Sequence, residues 1–479
     1  MDKKGQAIFN KSFNRRDVLK AMGKATAAGV VLSAIPGVGI AAVKNPTNRP
    51  NLIFILGDNH NAQTMEFAGH PFIKTPGFNR LAREGVHLQN TFNTTSLCTP
   101  SRASILTGAY CHKHGVKNNH MPWIDSMPTF LEYLSQNDYA TAFIGKWHMP
   151  GDGLPKFPYL DLFVSYTYRE GQGSYFNCPM IVNGKEVASR KPYITEEVTD
   201  YAIDFMKSTL SKPDSERKPF CIYLSHRPGH PPYRAPEGID GMYDDVDVEK
   251  TLPKNTDAWY GKSRQNVYQG LMMGSFYDQY RGYCETLTAM DRDIDRLLDV
   301  LDEMGIQDNT VVIYMGDNGQ MWGQHDNVGI REPYEESAKL PMIVRAPGMI
   351  KDPGSKREQM ALNIDIAPTL LDMAGVPKPK DMDGESFVPL LKNPEAKGRD
   401  AFLMEFWRFF PENTPSYVGV RTNRYKFIEY ERGRDPMLFD LKMDSGEHNN
   451  LFGTPEGDRV LPELLAHMKR LNKNEHKFH

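Results

Sequence analysis

Residues 51–59 read NLIFILGDN, and residues 310–319 read TVVIYMGDNG. Each is a continuous apolar run that breaks at a glycine and an Asp-Asn pair. A run that is apolar at every position suits a strand buried on both faces, and such strands belong to parallel sheets covered by helices. Three further runs share this character: Ala140–Ile144, Phe220–Leu224 and Met342–Val344. Helical patterns lie between them. Thr75 and Pro76 supply an N-cap and a first-turn proline for a helix that Gly85 closes. A second helix begins near Thr195. The stripe Leu287, Met290, Ile294, Leu297, Leu298 and Leu301 marks a third, ending at Gly305. Strands alternating with helices predict an α/β fold built on a mostly parallel, doubly wound sheet flanked by helices.

Past the Pro/Gly/Lys-rich stretch 377–400, residues 418–441 alternate in short runs expected of antiparallel strands, and Leu461–Leu471 reads as a closing helix. The expected division is a main α/β domain over 43–395 and a smaller C-terminal subdomain, antiparallel sheet plus helix, over 396–479.

Residues 1–42 read differently. The basic segment Asn14-Arg15-Arg16-Asp17-Val18-Leu19-Lys20 precedes AMGKATAAGVVLSAIPGVGIAA, an Ala/Gly-rich apolar run ending in small residues. This resembles a twin-arginine export signal, so 1–42 is expected to be a signal peptide and the mature chain periplasmic. The segment carries seven Lys or Arg against two Asp or Glu. The remainder then holds 50 basic and 58 acidic residues, a formal charge of −8. That balance argues against nucleic acid as a partner, and an anionic substrate would need a local basic pocket. No apolar run after residue 43 is long enough to span a bilayer. Five cysteines, an odd and sparse set, make no disulfide framework.

In open α/β sheets, ligands bind beyond the carboxyl ends of the strands. Asp58-Asn59 and Asp317-Asn318 would stand there, offering two carboxylates and two amide oxygens, a set that suits a hard divalent cation. The same residue types also favour turns and N-caps. Lys146 and His148, in GKWH after the third run, pair a cation with a titratable ring, suited to an anion and to proton transfer. The loop His226-Arg227-Pro228-Gly229-His230-Pro231-Pro232 follows another predicted strand. Finally, CTPSRASILTG (98–108) opens a short helix with Cys98 at its start and Arg102 one turn on. A thiol at a positive helix end is expected to have a lowered pKa and to act as a nucleophile; a small buried residue is the alternative.

The stretch Cys98-Thr99-Pro100-Ser101-Arg102, continued by Leu106-Thr107-Gly108, resembles the C-x-P-S-R-x-x-x-L-T-G signature of type I, formylglycine-dependent sulfatases of the alkaline phosphatase superfamily. The resemblance extends over nearly the whole mature chain. It takes in the Asp58 strand end, GKWH, the histidine loop, TAMDRDIDRLLDVLDEMG, GDNG, PYEESAKLPMIVRAPG, RTNRYKF and LFDLKMDSGEHNNL. It implies that a formylglycine-generating maturation enzyme oxidises Cys98 to Cα-formylglycine. One oxygen of the hydrated aldehyde would attack sulfur, and the second hydroxyl would allow sulfate to leave; a thiolate or serine lacks that route. It implies further that Asp58, Asn59, the modified Cys98, Asp317 and Asn318 hold Ca2+, with Mg2+ or Mn2+ as alternatives. Arg102 would steady the hydrate, Lys146 bind sulfate, His148 deprotonate the diol and His230 serve the leaving-group oxygen.

Two positions depart from the family pattern. Asn59 stands where most members have a second Asp. Gly329 and Ile330 stand where many have an active-site lysine, and Arg331 is the nearest cation to replace it. The implied function is hydrolysis of an O-sulfate on a sulfated sugar or polysaccharide fragment. Two alternatives are a phosphonate monoester or phosphodiester hydrolase, whose first metal pair is also Asp-amide but whose second is Asp-His, and an inactive relative that only binds glycans.

Overall fold

The computed structural model describes residues 49–150, 157–167, 171–252, 274–409 and 414–472. The expected signal segment lies outside them. The strands, in chain order, are β1 (Asn51–Gly57), β2 (Val86–Phe92), β3 (Ala140–Gly145), β4 (Leu162–Tyr166), β5 (Met180–Val182), β6 (Lys185–Val187), β7 (Phe220–Ser225), β8 (Thr310–Gly316), β9 (Met321–Trp322), β10 (Val328–Gly329), β11 (Lys339–Leu340), β12 (Met342–Arg345), β13 (Lys356–Leu362), β14 (Ala401–Phe406), β15 (Tyr417–Thr422), β16 (Tyr425–Tyr430) and β17 (Met437–Asp440).

The large sheet has eleven strands in the order β11-β2-β12-β8-β1-β7-β3-β4-β5-β6, with β13 joined to β2. Its centre, β8-β1-β7-β3-β4, is parallel throughout. β1 shows why the apolar runs are continuous. Ile53 and Ile55 enter one core, with the helices Pro76–Glu84, Ile194–Leu210 and Phe276–Glu303. Leu52, Phe54 and Leu56 enter the other, with the helices Cys98–Thr107, Phe130–Gln136 and Ile366–Met373. Successive side chains of a strand point to opposite faces, so a strand with helices on both sides needs an apolar residue at each position.

The flanks are antiparallel. Met342–Val344 is a strand as expected, but β12 runs antiparallel to β8. Only short elements, including the helix Glu335–Ala338, separate the two. β5 and β6 form an antiparallel edge on β4. The C-terminal segment builds a separate antiparallel sheet, β14-β15-β16-β17, covered by the helix Pro455–Asn472. Among the described residues, no helix is long and apolar enough to cross a membrane.

Candidate active site

Because β1 and β8 pair in register through Gly57 and Gly316, Asp58-Asn59 and Asp317-Asn318 leave the sheet side by side. Asp317 N–H donates to Gly57 O at 2.9 Å, and Asn59 N–H donates to Asp317 Oδ1 at 2.9 Å. Asn59 adopts φ 44°, a left-handed conformation that Asn tolerates better than most residues. Tyr283, from the Phe276–Glu303 helix, donates its hydroxyl to Asn59 O at 3.0 Å. Both carboxylates are fully buried.

β3 and β7 deliver the cation. Gly145 has φ 109°, and a Cβ there would stand 1.9 Å from Ser225 O, so only glycine lets the chain turn into Lys146 at this spot. Lys146 is buried, and its Nζ pairs with Asp58 Oδ2. Gly229 plays the same part for the histidine loop: φ is 96° and a Cβ would lie 1.8 Å from Asp58 O.

The helix Cys98–Thr107 begins at the cysteine itself and ends where Gly108, at φ 68°, donates its N–H to Ser104 O. Cys98 Sγ lies 3.6 Å from Asn59 Oδ1, 3.8 Å from Asp58 Oδ1 and 3.5 Å from Asn318 Nδ2. One turn on, Arg102 sends Nε to Asp317 Oδ2 at 2.9 Å and Nη1 to Ser225 Oγ at 2.6 Å and Lys146 O at 3.1 Å. Ser101 donates to Asp317 O at 2.7 Å, so the same turn grips both backbone and side chain of that aspartate.

The expected lowering of the Cys98 pKa is not found. Burial pushes the thiol well up, the charges of Asp317 and Asp58 add to this, and Lys146 and Arg102 offset only part of it. A helix N-terminus favours a thiolate when it faces water or a cation; this one faces two carboxylates in a closed core. An unmodified Cys98 is therefore a poor nucleophile. Asp317 is also raised, first by burial and then by the Asp58 charge.

The donor set fits a hard divalent cation. Asp58, Cys98 and Asp317 bring ligating atoms within 4.8 Å of one another. The Asn318 amide nitrogen faces Asp317 Oδ1 at 3.2 Å, Asn59 Oδ1 at 3.5 Å and Cys98 Sγ at 3.5 Å. Acceptors crowded in this way around one point are what a cation satisfies, and a half-turn of that amide would add its oxygen to them.

His148 and His230 flank this cluster. The carbonyl of His148 accepts from Thr99 Oγ1 at 2.6 Å, while its buried ring leaves Nδ1 without a partner. His230 Nδ1 lies 2.6 Å from Pro231 O and Nε2 lies 2.5 Å from Gln172 Nε2, which fits a neutral ring that donates from Nδ1 and accepts at Nε2. Burial, followed by Lys146, holds both rings well below the usual histidine range. His226 is buried with both ring nitrogens unpartnered, and only its backbone, donating to Leu56 O at 2.8 Å, braces the strand ends.

Arg331 sits at φ 92° on the segment that docks against the C-terminal sheet. Tyr417 donates to its carbonyl at 3.2 Å, and the neighbouring Glu332 pairs with Arg434 at 2.6 Å. Three supporting residues escaped the sequence reading: Ser225 on Arg102, Gln172 on His230 and Tyr283 on Asn59. Ser225 had a signal, as the polar residue that closes FCIYLS. The other two reach the site from distant segments and had none.

Fold and site together place a buried cluster of carboxylate, amide and cationic side chains, able to hold a divalent cation, at the carboxyl ends of a parallel sheet. Residues 50–376 match the family model described as Sulfatase, and residues 323–474 match the one described as N-sulphoglucosamine sulphohydrolase, C-terminal. The chain belongs to the sulfatase family, whose members hydrolyse sulfate esters. It is similar to the N-acetylglucosamine-6-O-sulfatase of Bacteroides thetaiotaomicron, 29% identical over 96% of this chain and 93% of the relative. The ulvan-active sulfatase of Formosa agariphila is 28% identical over 92% of this chain and 84% of its own. A solved structure of a protein in complex with its substrate, D-glucosamine-2-N,6-O-disulfate, superposes with a TM-score of 0.78 at 28% identity, covering 89% of this chain and 98% of that one.

Proposed function

We propose that this chain is an exported, formylglycine-dependent sulfatase that removes O-sulfate from a sulfated carbohydrate. The observation that carries the reading is the placement of Cys98 against Asp58, Asn59 and Asn318, with Arg102 and Lys146 as the buried cations beside it. The sugar substrates of the two similar sulfatases and of the solved complex support the carbohydrate part.

Oxidised to Cα-formylglycine and hydrated, Cys98 would supply an oxygen nucleophile and a second hydroxyl to release sulfate. Ca2+, or Mg2+ or Mn2+ in its place, held by Asp58, Asn59, residue 98, Asp317 and Asn318, would supply charge that lowers the nucleophile's pKa and neutralises sulfate oxygens. The chain's own groups do the rest. Arg102 locks Asp317 and the first helical turn, fixing residue 98 over the strand ends. Lys146 neutralises Asp58 before substrate arrives and faces the anion once it does. His148 and His230, neutral in the free site, gain basicity when a sulfate brings negative charge beside them, which suits proton transfer at the diol and at the leaving oxygen. Gln172 orients His230 for that step. Arg331, the cation nearest in sequence to the position of the absent lysine, would take its anion-binding duty.

Cys98 is 2% exposed, so its maturation must precede closure of the fold. The twin-arginine-type segment 1–42 supports a periplasmic destination, with folding and maturation completed before export. The phosphonate or phosphodiester reading draws on Asp58-Asn59, but Asp317 is followed by Asn318 and not by histidine. The complete set of Cys98, Arg102, Lys146, His148 and His230 speaks against a binding-only role. Parallel assays on nitrophenyl sulfate, the matching phosphodiester and a panel of sulfated monosaccharides test the proposal. Sulfate release from a sugar at a higher kcat/KM than phosphodiester cleavage is expected. A large phosphodiester preference would overturn it.

A further inference from the structure

Away from this centre, His325, Glu336 and Glu447 bring one ligating atom each within 4.8 Å of one another. They come from three segments: the turn Gln324–Asp326, the short helix Glu335–Ala338 and the loop that follows β17. His325 Nε2 lies 3.7 Å from Glu336 Oε2, and neither atom has a hydrogen-bond partner. The His325 side chain is only 8% exposed. Its ring stacks on Tyr334 with centroids 3.6 Å apart and planes 3° from parallel, so the direction of Nε2 is fixed by packing.

Glu335 pairs with Lys426 at 2.7 Å and Arg421 at 3.1 Å, and Glu447 pairs with Lys426 at 2.6 Å. Among the described residues, the ion pairs of Lys426 and Arg421 thus go to Glu335 and Glu447, while Glu336 faces the imidazole nitrogen. A buried imidazole nitrogen and a carboxylate oxygen that face each other without a hydrogen bond are both unsatisfied, and a cation between them would satisfy both.

We propose that His325, Glu336 and Glu447 form a second metal site, which takes Zn2+ or a similar borderline transition metal. One imidazole and two carboxylates match that class of ion, whereas the oxygen-rich set at Asp58 and Asp317 suits a hard cation. A fourth position remains for water or for His448, an exposed residue whose ring centroid is 5.3 Å from that of His325. Metal–ligand bonds of about 2 Å would draw the three donors closer together than they stand. The ion would clamp the segment after Asp317-Asn318, which also carries Arg331, onto the C-terminal sheet.

The test uses the full mature chain, stripped with chelator, reloaded with saturating Ca2+ to fill the catalytic centre, then exposed to Zn2+, desalted and analysed for metal. About one equivalent of zinc is expected in the wild type, with a raised melting temperature, and a drop of about 100-fold in zinc affinity in both His325→Ala and Glu336→Gln. Should His325→Ala fail to fold, Glu336→Gln, at a partly exposed position, carries the test alone. A wild type that retains no zinc, or a folded variant that binds it as the wild type does, would overturn the proposal.

Discussion

Arg102 and Asp317 form a buried pair in which Nε and Nη2 stand 2.9 Å and 2.7 Å from one carboxylate oxygen. This joins the helix that begins at Cys98 to the end of β8, so the proposed nucleophile position and the residues that would hold the cation are located by one interaction.

Removing one partner leaves a buried charge uncompensated. Arg102→Ala is therefore expected to lower the free energy of unfolding by about 3–5 kcal/mol. Denaturant midpoints at pH 7 measure it. Arg102→Lys should recover part of the stability but little activity, because a point charge does not reproduce the guanidinium's contacts to Asp317, Ser225 and Lys146 together.

Asn59 is an amide where a second carboxylate would add charge to the cation site. Asn59→Asp keeps a residue type that tolerates φ 44° and should tighten Ca2+ binding by about tenfold or more. Calorimetric titration of the chelator-stripped protein reads the change. Unaltered affinity would mean that residue 59 is not a ligand.

Gln172 touches His230 but not the sulfur. Gln172→Ala should cut kcat by about tenfold on a sugar sulfate, whose alkoxide leaves poorly, and much less on nitrophenyl sulfate, whose leaving group needs no proton. Equal losses on both would assign Gln172 a purely structural role.

His226 is held at about 3, against an ordinary 6.5, by burial with unpartnered ring nitrogens. The unfolded chain binds its proton below 6.5 and the folded chain does not, so this residue's contribution is full above that value and lost as the pH falls. Relative to His226→Leu, the wild type should lose about 1.4 kcal/mol per pH unit between pH 6.5 and 4, with a constant difference above pH 7.5. Chemical denaturation of both proteins across that range checks the slope.

The centre of the fold was legible because burial on both faces leaves an unambiguous mark: NLIFIL, FCIYL and TVVIYM can be little else. The edges were not. β2 (VHLQNTF) and β13 (KREQMAL) mix polar and apolar residues because each is partly solvated, and they pair in parallel with a register shift between Arg357 and Met360 that no pattern announces. The direction of β12 was not legible either, because a short apolar run reads alike in a parallel and an antiparallel strand. Most residues of the candidate cluster stood out because they end predicted strands. The Cys98 electrostatics did not, because helix position alone says nothing of the two carboxylates that the sheet brings opposite.

The measurement closest to the central claim is peptide mass spectrometry across Cys98 on catalytically active protein, matured in a host with the oxidising machinery. The account predicts the mass loss of thiol-to-aldehyde conversion at Cys98, in a fraction of molecules that scales with sulfate-releasing activity. Full activity in protein whose Cys98 remains an unmodified thiol would contradict it.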